Sequence, residues 1–386
     1  MLKDQFLLDP QVTFLNHGSF GACPRPVFDE YQAWQSRLEH QPVQFLGVEL
    51  DMYLHHSREI LGEYFHAPAN DIVYIPNATH GVNILAHSLK LSPGDEILTT
   101  AHEYGACNFT WDFICQKTGA IYKKQPIQLP VSSDADIFDQ FWQGVTPNTK
   151  LIFISHITSP TSLTMPVQQI CQRARQAGII TLIDGAHAPG QFPLDLSSLQ
   201  ADFYTGNCHK WMLSPKGAGF IYASREVQDL VEPLIVSWGY QSCITSPKES
   251  RFVDLLQWSG TKDPAAALSV PAAIDFMRQH QWDEVQHKCH NLLRDAIQSI
   301  CDHTGLSPLY PLDSDLYYQM GTIPIPKVRD LQELKSHLYN DYKIEIPCID
   351  WNNRHFLRLS VQGYNSEEDI ARLETALFKL LPALTM

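Results

Sequence analysis

Two residues near the middle of the chain could together perform chemistry that neither performs alone. Asp184 ends an apolar run and is followed at once by Gly185, so its carboxylate should project from the carboxyl end of a sheet, where open α/β folds bind ligands. Lys210 closes a second short strand. A lysine amine can form a Schiff base with a carbonyl cofactor, and a carboxylate can keep a pyridine nitrogen protonated. A lone lysine is most often a surface residue and a lone aspartate can simply start a turn, but the pair predicts pyridoxal phosphate catalysis.

The elements that must position this pair are short apolar runs that alternate with helical stretches between residues 71 and 224. Runs that are apolar on both faces and separated by helices are typical of a parallel sheet covered on both sides. We therefore expect an α/β fold whose large domain has a mainly parallel mixed sheet between two layers of helices. The predicted strands are Ile72–Ile75, Glu96–Thr100, Leu151–Ile154, Ile179–Ile183 and Gly219–Tyr222.

The rest of the chain mixes strands and helices in a pattern that predicts a smaller α+β domain at the carboxyl end. Ser366 and Asp369 form a capping-box-like start for the last helix. The other expected elements are helices over 282–303 and 331–342 and strands near 317–325, 344–349 and 356–361. The predicted division is an amino-terminal segment (1–25) at the mouth of the site, a large domain (26–275) and a small domain (276–386).

The composition disfavours several classes of partner. The 386 residues carry 28 Lys and Arg against 42 Asp and Glu, a formal net charge of -14, which disfavours a surface that binds nucleic acid or anionic lipid. No run approaches the roughly 18 consecutive apolar residues of a spanning helix, and the first ten residues do not resemble a secretory signal. Nine cysteines without a Cys-x-x-Cys pair fit reduced thiols. We expect a cytoplasmic enzyme that acts on a small molecule and binds neither nucleic acid nor membrane.

Two further motifs do not carry the chemistry that they suggest at first. His287 and His290 flank Lys288 and Cys289, but adjacent ligands on a helix point in different directions, so we expect a solvated helix face and no metal site. The glycines of residues 185–190 do not form the Gly-x-Gly-x-x-Gly turn between strand and helix that dinucleotides require. Nicotinamide binding is therefore not expected.

The central block resembles a known family. The motifs that carry the resemblance are, in order, Asp184–His187 (Asp-Gly-Ala-His), Gly206–Trp211 (Gly-Asn-Cys-His-Lys-Trp) and Pro215–Gly219 (Pro-Lys-Gly-Ala-Gly). This order is similar to that of the class V aminotransferases, which are pyridoxal phosphate enzymes of fold type I. The segments that resemble the isopenicillin N epimerase-like branch of that family are Asn16–Gly21, Trp258–Asp263, Ile344–Pro347 and Leu357–Asn365. The matches span nearly the whole chain.

The resemblance implies roles for residues around pyridoxal 5'-phosphate. Lys210 would hold it as a Schiff base, Asp184 would pair with the ring nitrogen, and His187 would lie near the phenolic oxygen of the ring. Tyr104 would stack on one face of the ring, which suits an aromatic side chain, although it could also be an ordinary buried aromatic.

A second set of residues would hold the phosphate. The implied contacts are Ala78, Thr79, His80, Asn207 and His209, with Thr261 contributed to the site of the neighbouring subunit. The turn before residue 78 would place amide groups at a helix amino terminus, where the dipole favours an anion. Thr79 and His80 could instead merely cap that helix. The role of Thr261 implies a homodimer.

The resemblance also implies how an amino acid would bind. Arg358 is the expected clamp for its α-carboxylate, because guanidinium and carboxylate match as a two-pronged pair, with a structural ion pair as the alternative. Asn16 and His17 would line the same mouth, so the substrate would lie between the two domains.

Lys210 is then placed to remove the α-proton, and several outcomes compete. The proton can return on the other face (epimerisation), a β-substituent can leave, or the cofactor carbon can be protonated (transamination). The resemblance favours an epimerase, with a carbon–sulfur β-lyase acting on cysteine, cystine or a cysteine conjugate as the alternative. An aminotransferase, a cysteine desulfurase and a cofactor-binding protein without turnover are further alternatives. Cys348 lies ten residues before Arg358 but lacks the histidine–cysteine loop of desulfurases, so we expect a plain buried thiol.

Overall fold

The secondary structure alternates between strands and helices along most of the chain in a computed structural model, which describes residues 2–245 and 250–385. The strands are β1 (Thr13–Phe14), β2 (Ile72–Ile75), β3 (Glu96–Thr100), β4 (Ile121–Gln125), β5 (Thr149–Ser155), β6 (Ile180–Gly185), β7 (Phe203–Asn207), β8 (Gly219–Ala223), β9 (Met320–Ile325), β10 (Ile344–Glu345), β11 (Cys348–Trp351) and β12 (Arg354–Ser360). The α-helices are α1 (His17–Phe20), α2 (Arg25–His40), α3 (Pro42–Gln44), α4 (Leu50–Tyr64), α5 (Ala78–Ser88), α6 (Gly105–Thr118), α7 (Asp134–Trp142), α8 (Val167–Ala177), α9 (Leu196–Leu199), α10 (Trp238–Thr245), α11 (Arg251–Gln257), α12 (Ala265–Leu268), α13 (Val270–Gln279), α14 (Trp282–Thr304), α15 (Leu331–Tyr342) and α16 (Glu367–Leu384). Among the described residues, no helix is both long and apolar enough to cross a lipid bilayer.

Seven strands form one mixed sheet in the large domain, in the order β2-β8-β7-β6-β5-β3-β4. Strand β8 is antiparallel to both of its neighbours, and the remaining pairs are parallel. Because β8 reverses the direction twice, β2 runs the same way as β7. The carboxyl ends of β2, β3, β5, β6 and β7 therefore meet at one edge of the sheet.

Successive residues of the sheet strands point into two separate hydrophobic layers. In β2, Val73 and Ile75 pack with α5, α6 and α11, whereas Ile72 and Tyr74 pack into the core on the other face, which includes α4, α8 and α13. A strand with this period of two must be apolar at every position to be buried on both faces. The predicted α/β architecture, a mainly parallel mixed sheet covered by helices on both sides, is confirmed.

The carboxyl-terminal part contains a second, smaller sheet. Its three antiparallel strands have the order β11-β12-β9, and α14 packs on β9 while α15 packs on α16. The amino-terminal segment is joined to this part by a short parallel pair, in which Thr13 lies opposite Ile344. The predicted smaller α+β region at the carboxyl end is confirmed.

Several element boundaries agree with the sequence analysis and others do not. Strands β2 and β3 and helix α15 have the predicted bounds, and the predicted capping box between Ser366 and Asp369 is present. The single strand predicted over 344–349 is instead two strands, β10 and β11, separated at Pro347, which has no N–H to donate to a ladder. Strand β4 was missed because it is half-exposed, with Lys123 and Lys124 in place of a continuous apolar run.

Candidate active site

The edge of the large sheet holds the acidic residue that the sequence singled out. Asp184 is the penultimate residue of β6 and is almost fully buried, and its Oδ1 accepts the Ala186 N–H at 2.9 Å. Its Oδ2 accepts a hydrogen bond from the Cys107 thiol on α6 at 3.5 Å. Burial raises the pKa of the Asp184 carboxyl, although the Ala186 hydrogen bond and the nearby Lys210 act in the opposite direction. A cation bound beside this carboxyl would lower its pKa again and so favour the carboxylate form.

Lys210 lies in the turn after β7, three residues beyond the end of that strand. Its Nζ is 3.3 Å from Nε2 of His187, which lies in the turn after β6 and is itself buried. The other ring nitrogen of His187, Nδ1, accepts a hydrogen bond from the indole N–H of Trp211 at 3.4 Å. The structure thus brings Lys210 and His187 together, and it adds Trp211 to the pair.

Burial lowers the pKa of both members of this pair, Lys210 and His187. It lowers the pKa of the Lys210 amine from 10.5 to about 8, with the positive charge of Arg358 as a second cause and the negative charge of Asp184 as an opposing one. It also lowers the pKa of the His187 ring well below its ordinary value, and Lys210 adds to the effect. The uncharged amine, which a nucleophile or base requires, is therefore much more populated near neutral pH than it is for an ordinary lysine.

A helix amino terminus faces the same edge of the sheet. The Asn77 side chain caps α5 by accepting the His80 N–H at 2.9 Å, and Asn207 Oδ1, at the end of β7, accepts the Ala78 N–H at 2.9 Å. In the described part of the chain, no group accepts a hydrogen bond from the Thr79 N–H or hydroxyl. This turn brings Ala78, Thr79, His80 and Asn207 together with one set of donors still unused.

His209 is placed beside this turn by a hydrogen bond to its own hairpin. Its Nδ1 lies 3.0 Å from the carbonyl oxygen of Ala218, and burial lowers the pKa of its ring to about 4. The ring is therefore neutral at physiological pH. Because a carbonyl oxygen can only accept, the single ring N–H is at Nδ1 and donates to Ala218, which leaves Nε2 as an acceptor.

Tyr104 is the residue immediately before α6. Its side chain is half-exposed and lines the wall of a cavity of about 320 Å³. The same cavity is lined by Arg358 and Ser159, and by Ile349 and Trp351 of the small domain. The cavity is thus formed by both domains, and it carries the expected stacking residue and the expected carboxylate clamp.

The Arg358 guanidinium lies where strand β12, the loop after β5 and the amino-terminal segment meet. Its Nη1 donates to the Ser159 carbonyl at 2.9 Å and to the Ser159 hydroxyl at 3.0 Å, and its Nη2 donates to the Ser19 hydroxyl at 3.0 Å. Only 6% of Arg358 is exposed, and its Nε has no hydrogen-bond partner among the described residues. Burial lowers the pKa of this guanidinium to about 10. A buried cation without a carboxylate partner is suited to bind an anionic ligand group.

The amino-terminal segment reaches this site through Asn16 and His17. Asn16 donates to a carboxylate oxygen of Glu345 at 2.9 Å and accepts the Ser19 hydroxyl, so it also orients the residue that binds Arg358. His17 is fully buried, with Nε2 3.0 Å from the Lys210 carbonyl oxygen and Nδ1 3.0 Å from the Tyr364 hydroxyl. Both residues therefore lie next to the site, but the ring nitrogens of His17 are engaged within the protein.

Thr261 lies apart from these residues. It is exposed, and it lines a different cavity of about 530 Å³ together with Trp238, Trp258 and Val43. Thr261 is not among the residues that line the cavity of Tyr104 and Arg358.

Besides Ser19 and Ser159, the residues near the site that were not predicted from the sequence include Glu103, Cys107 and Trp211. Glu103 is buried and accepts the Ser155 N–H at 2.9 Å and the Thr100 hydroxyl at 2.6 Å, and burial raises its pKa to about 7. A charged residue inside the otherwise ordinary segment His102–Tyr104 was the available signal for Glu103. Trp211 stands next to Lys210, but its contact with His187 depends on how two separate turns meet.

The residues present fit pyridoxal phosphate. Lys210 and Asp184 attract each other electrostatically, yet among the described residues no hydrogen bond or ion pair joins the amine to the carboxylate, as a ring held between them requires. The unused donors of Thr79 suit a phosphate at the start of α5. The described residues contain no group of three or more His, Cys, Asp or Glu that could hold a metal ion.

Comparison with known proteins agrees with this geometry. The chain is 33% identical to isopenicillin N epimerase of Amycolatopsis lactamdurans, over 98% of this chain and 97% of that protein. It is 25% identical to an L-cysteine desulfhydrase of Arabidopsis thaliana, over 96% of this chain and 88% of that protein. A solved structure of a C-DES variant, with glycine covalently linked to its PLP cofactor, superposes with a TM-score of 0.82 at 21% identity and covers 97% of this chain and 98% of that one. The last similarity shows a shared fold.

The family assignment follows from the extent of these matches together with the site. The family model described as aminotransferase class-V matches residues 22–373, which include Asp184, Lys210 and Arg358. The predicted resemblance to this family, its fold type I architecture and its cofactor are confirmed. This chain therefore belongs to the class V aminotransferase family of pyridoxal phosphate-dependent enzymes.

Proposed function

We propose that this protein is an α-amino acid epimerase similar to isopenicillin N epimerase, in which Lys210 removes the α-proton. The observation that carries the proposal is the position of the half-buried Lys210 amine, 3.3 Å from His187 Nε2, in a site that also holds the buried Arg358 guanidinium. Its pKa, lowered to about 8, makes it available as a base. The extent of the similarity to isopenicillin N epimerase supports the choice of reaction. When bound, pyridoxal phosphate supplies an electron-accepting ring that stabilises negative charge on the α-carbon.

The proposed roles of the catalytic residues follow from their positions. Lys210 would hold the cofactor, and its nitrogen, once free, would take the α-proton. The Asp184 carboxylate would hold the ring nitrogen in its protonated form, and His187 would contact the phenolic oxygen. Tyr104 would cover one face of the ring from the wall of the cavity, where half of its side chain is exposed.

The proposed substrate is an amino acid whose α-carboxylate binds Arg358. The buried guanidinium is already oriented by Ser19 and Ser159, so the carboxylate meets a donor pair with little rotamer entropy left to lose. Asn16 and His17 complete the mouth of the site on the amino-terminal side. A cavity of about 320 Å³ gives the amino acid side chain room beside Tyr104 and Trp351.

The proposed phosphate site is the start of α5. The residues proposed to surround it are Ala78, Thr79, His80, Asn207 and His209, with Thr261 contributed by the partner of a homodimer. Among these, Thr79 has an N–H and a hydroxyl that no described group accepts. The exposed position of Thr261 supports this arrangement, because the residue does not face the site of its own chain.

The proposed division into a segment of 1–25, a large domain of 26–275 and a small domain of 276–386 is supported by the separate sheets.

A carbon–sulfur β-lyase is the second candidate. The similarity to an L-cysteine desulfhydrase over 96% of this chain favours it, and the same Lys210 base and Arg358 clamp would serve it. In that reaction cysteine and water would yield pyruvate, ammonia and hydrogen sulfide, so the bond broken is the one between the β-carbon and sulfur. A transamination or a binding role without turnover would use the same residues.

Cysteine desulfurase activity has less support from the geometry. Cys348 belongs to strand β11, where it pairs with Leu357, and it does not sit on a free loop. Burial raises the pKa of its thiol to about 12, so little thiolate is available to attack sulfur at neutral pH. The sequence predicts a plain buried thiol here, and in the structure Cys348 is half-buried.

A single incubation separates these reactions. Purified protein loaded with pyridoxal phosphate is incubated in deuterated water with a panel of L-amino acids that includes cysteine and cystine. Deuterium at the α-carbon, the ratio of D to L product, pyruvate and sulfide are measured together. The epimerase proposal expects deuterium incorporation with formation of the D-amino acid and no fragments.

Other product patterns have defined meanings. Pyruvate with sulfide from cysteine would replace the epimerase by the lyase, and exchange that never inverts the α-carbon would also contradict the epimerase. Lys210→Ala is expected to reduce α-proton exchange by about 10³-fold, in line with the loss of a positioned base. Lys288→Ala, which removes an exposed lysine paired with Glu284, is the control and should leave exchange unchanged.

The location that we propose is the cytoplasm. All cysteines whose side chains the structure describes are free thiols, including the half-buried Cys23, Cys115 and Cys348. Free thiols in partly accessible positions support a reducing compartment. Cys243 lies outside the residues whose side chains are described.

A further inference from the structure

A directional chain of hydrogen bonds ends at the Lys210 nitrogen. Trp211 Nε1 lies 3.4 Å from His187 Nδ1, and His187 Nε2 lies 3.3 Å from Lys210 Nζ. The indole N–H can only donate, so Nδ1 of His187 must be the acceptor. A neutral imidazole that accepts at Nδ1 carries its proton on Nε2. The N–H at Nε2 therefore faces Lys210, and the lysine nitrogen can complete the contact only by accepting.

We propose that Trp211 is a positioning residue, which selects the His187 tautomer and thereby presents an N–H donor to the Lys210 nitrogen. The inference rests on the proposed role of Lys210 as the residue that carries the cofactor. An N–H donor that faces a nitrogen disfavours protonation of that nitrogen. The contact therefore favours the free-base form of the lysine, which is the form that attacks a carbonyl and accepts an α-proton.

The surroundings hold the indole in this orientation. Trp211 is fully buried, its ring centroid lies 4.9 Å from that of His17, and a Cβ on Gly18 would approach its Cζ2 to 3.5 Å. His17 in turn lies 3.0 Å from the Lys210 carbonyl oxygen. The indole is thus wedged between the amino-terminal segment and the turn of His187, and its N–H has a fixed direction.

The charged and titratable groups around these hydrogen bonds are the same whether or not the Trp211 indole is present. Arg358 on β12 and His17 on α1 face His187, and Arg358, Asp184 on β6 and Cys107 on α6 face Lys210. His209 lies one residue before Lys210 and also interacts with it. Burial keeps the His187 ring neutral, which is the condition for a choice between two tautomers. Without the indole N–H, the imidazole can carry its proton on Nδ1 and accept a hydrogen bond at Nε2 from a protonated lysine nitrogen.

The substitution Trp211→Phe tests the proposal because it removes the N–H and keeps an aromatic ring. In the cofactor-loaded protein, we expect the midpoint pH of the absorption change of the bound cofactor to rise by about one unit, a tenfold increase in proton affinity at the Lys210 nitrogen. The pH profile of α-proton exchange should shift in the same direction. Trp282→Phe is the matched control, because the buried indole N–H of Trp282 has no hydrogen-bond partner among the described residues. It should leave the midpoint unchanged.

A direct measurement of the tautomer covers the case in which Trp211→Phe does not fold. Long-range proton–nitrogen spectra of histidine-labelled wild-type protein, assigned with His187→Gln, should show the proton of His187 on Nε2. A proton on Nδ1 would overturn the proposal, and so would a midpoint that Trp211→Phe does not move or that Trp282→Phe moves equally. Failure of the underlying function is distinguishable, because wild-type protein treated with borohydride would then carry no cofactor on Lys210.

Discussion

At the scale of single residues, Arg358 is a cation well suited to bind a ligand anion. Two serines from different parts of the chain orient it, it is almost fully buried, and among the described residues it has no carboxylate partner. A guanidinium held in this way binds a carboxylate with two parallel hydrogen bonds, which a lysine ammonium cannot reproduce. The affinity for the amino acid should therefore depend on the shape of the cation as well as on its charge.

The substitution Arg358→Lys is expected to weaken amino acid binding by about 10- to 100-fold, because a hydrogen bond to a charged group contributes roughly 1.5–3 kcal/mol. Spectral titration of the cofactor-loaded protein with an L-amino acid measures the dissociation constant. Arg354→Lys on the same strand is the matched control, since that guanidinium lies over the Phe356 ring and away from the site. Equal affinities for the Arg358→Lys and wild-type proteins would remove Arg358 from the substrate site.

At the scale of secondary structure elements, the contact between α5 and β7 sets the position of the proposed phosphate site. Gly81 lies in the first turn of α5, and a Cβ there would meet the Thr205 side chain on β7 and come within 2.8 Å of Ile75 Cδ1. Thr205 cannot turn away freely, because its hydroxyl donates to the Phe220 carbonyl at 3.0 Å. The absent side chain lets the start of α5 approach the sheet closely enough for Ala78 to reach Asn207.

The substitution Gly81→Ala is expected to lower the free energy of unfolding by about 1–3 kcal/mol, as overpacking in a close contact does. It should also weaken pyridoxal phosphate binding at least about tenfold, because α5 must move away from β7. Denaturant unfolding and equilibrium dialysis of the cofactor measure the two effects. Gly105→Ala, whose Cβ would meet no atom within 4 Å, should change neither quantity by more than a small amount. Full cofactor affinity in Gly81→Ala would contradict the assignment of the phosphate site.

At the scale of the whole molecule, several large apolar side chains are exposed on one face. Trp238 is 72% exposed, Val43 is 79% exposed and Val48 is 67% exposed, and the first two line the same cavity as Thr261. Large apolar residues that surround a concave surface are typical of protein interfaces. This face is thus suited to carry the proposed homodimer, and its Thr261 would then lie at the site of the partner.

The substitution Trp238→Asp is expected to shift the protein from dimer to monomer, because a charge would be buried at the centre of the interface. Sedimentation velocity measures the change, and the monomer should bind pyridoxal phosphate at least about tenfold more weakly because it lacks the partner's Thr261. Tyr339→Asp, at a half-exposed aromatic on α15, should leave the assembly unchanged. A wild-type protein that sediments as a monomer with full cofactor affinity would contradict both parts of the prediction.

The local pattern of the chain determined much of the fold and singled out the proposed catalytic pair. Strands β2 and β3 could be located because residues that are buried on both faces must be apolar at every position, and this is a property of neighbouring residues. Asp184 and Lys210 could be singled out because their residue types and their places beside strands are visible in sequence. The start of the last helix could be predicted for the same reason, since a capping box spans only four residues.

The tertiary structure decided which of these groups touch and in what direction. Ser19, Ser159 and Arg358 come together only because an amino-terminal segment, a loop after β5 and a strand of the small domain meet at one edge of the sheet. The same holds for Trp211, His187 and Lys210, where two turns after adjacent parallel strands bring three side chains into contact. Such contacts depend on strand order and on distances between residues far apart in the chain, which no local periodicity encodes. The sequence by itself therefore determined the chemical groups, and the packing of the elements decided their hydrogen-bond partners and proton affinities.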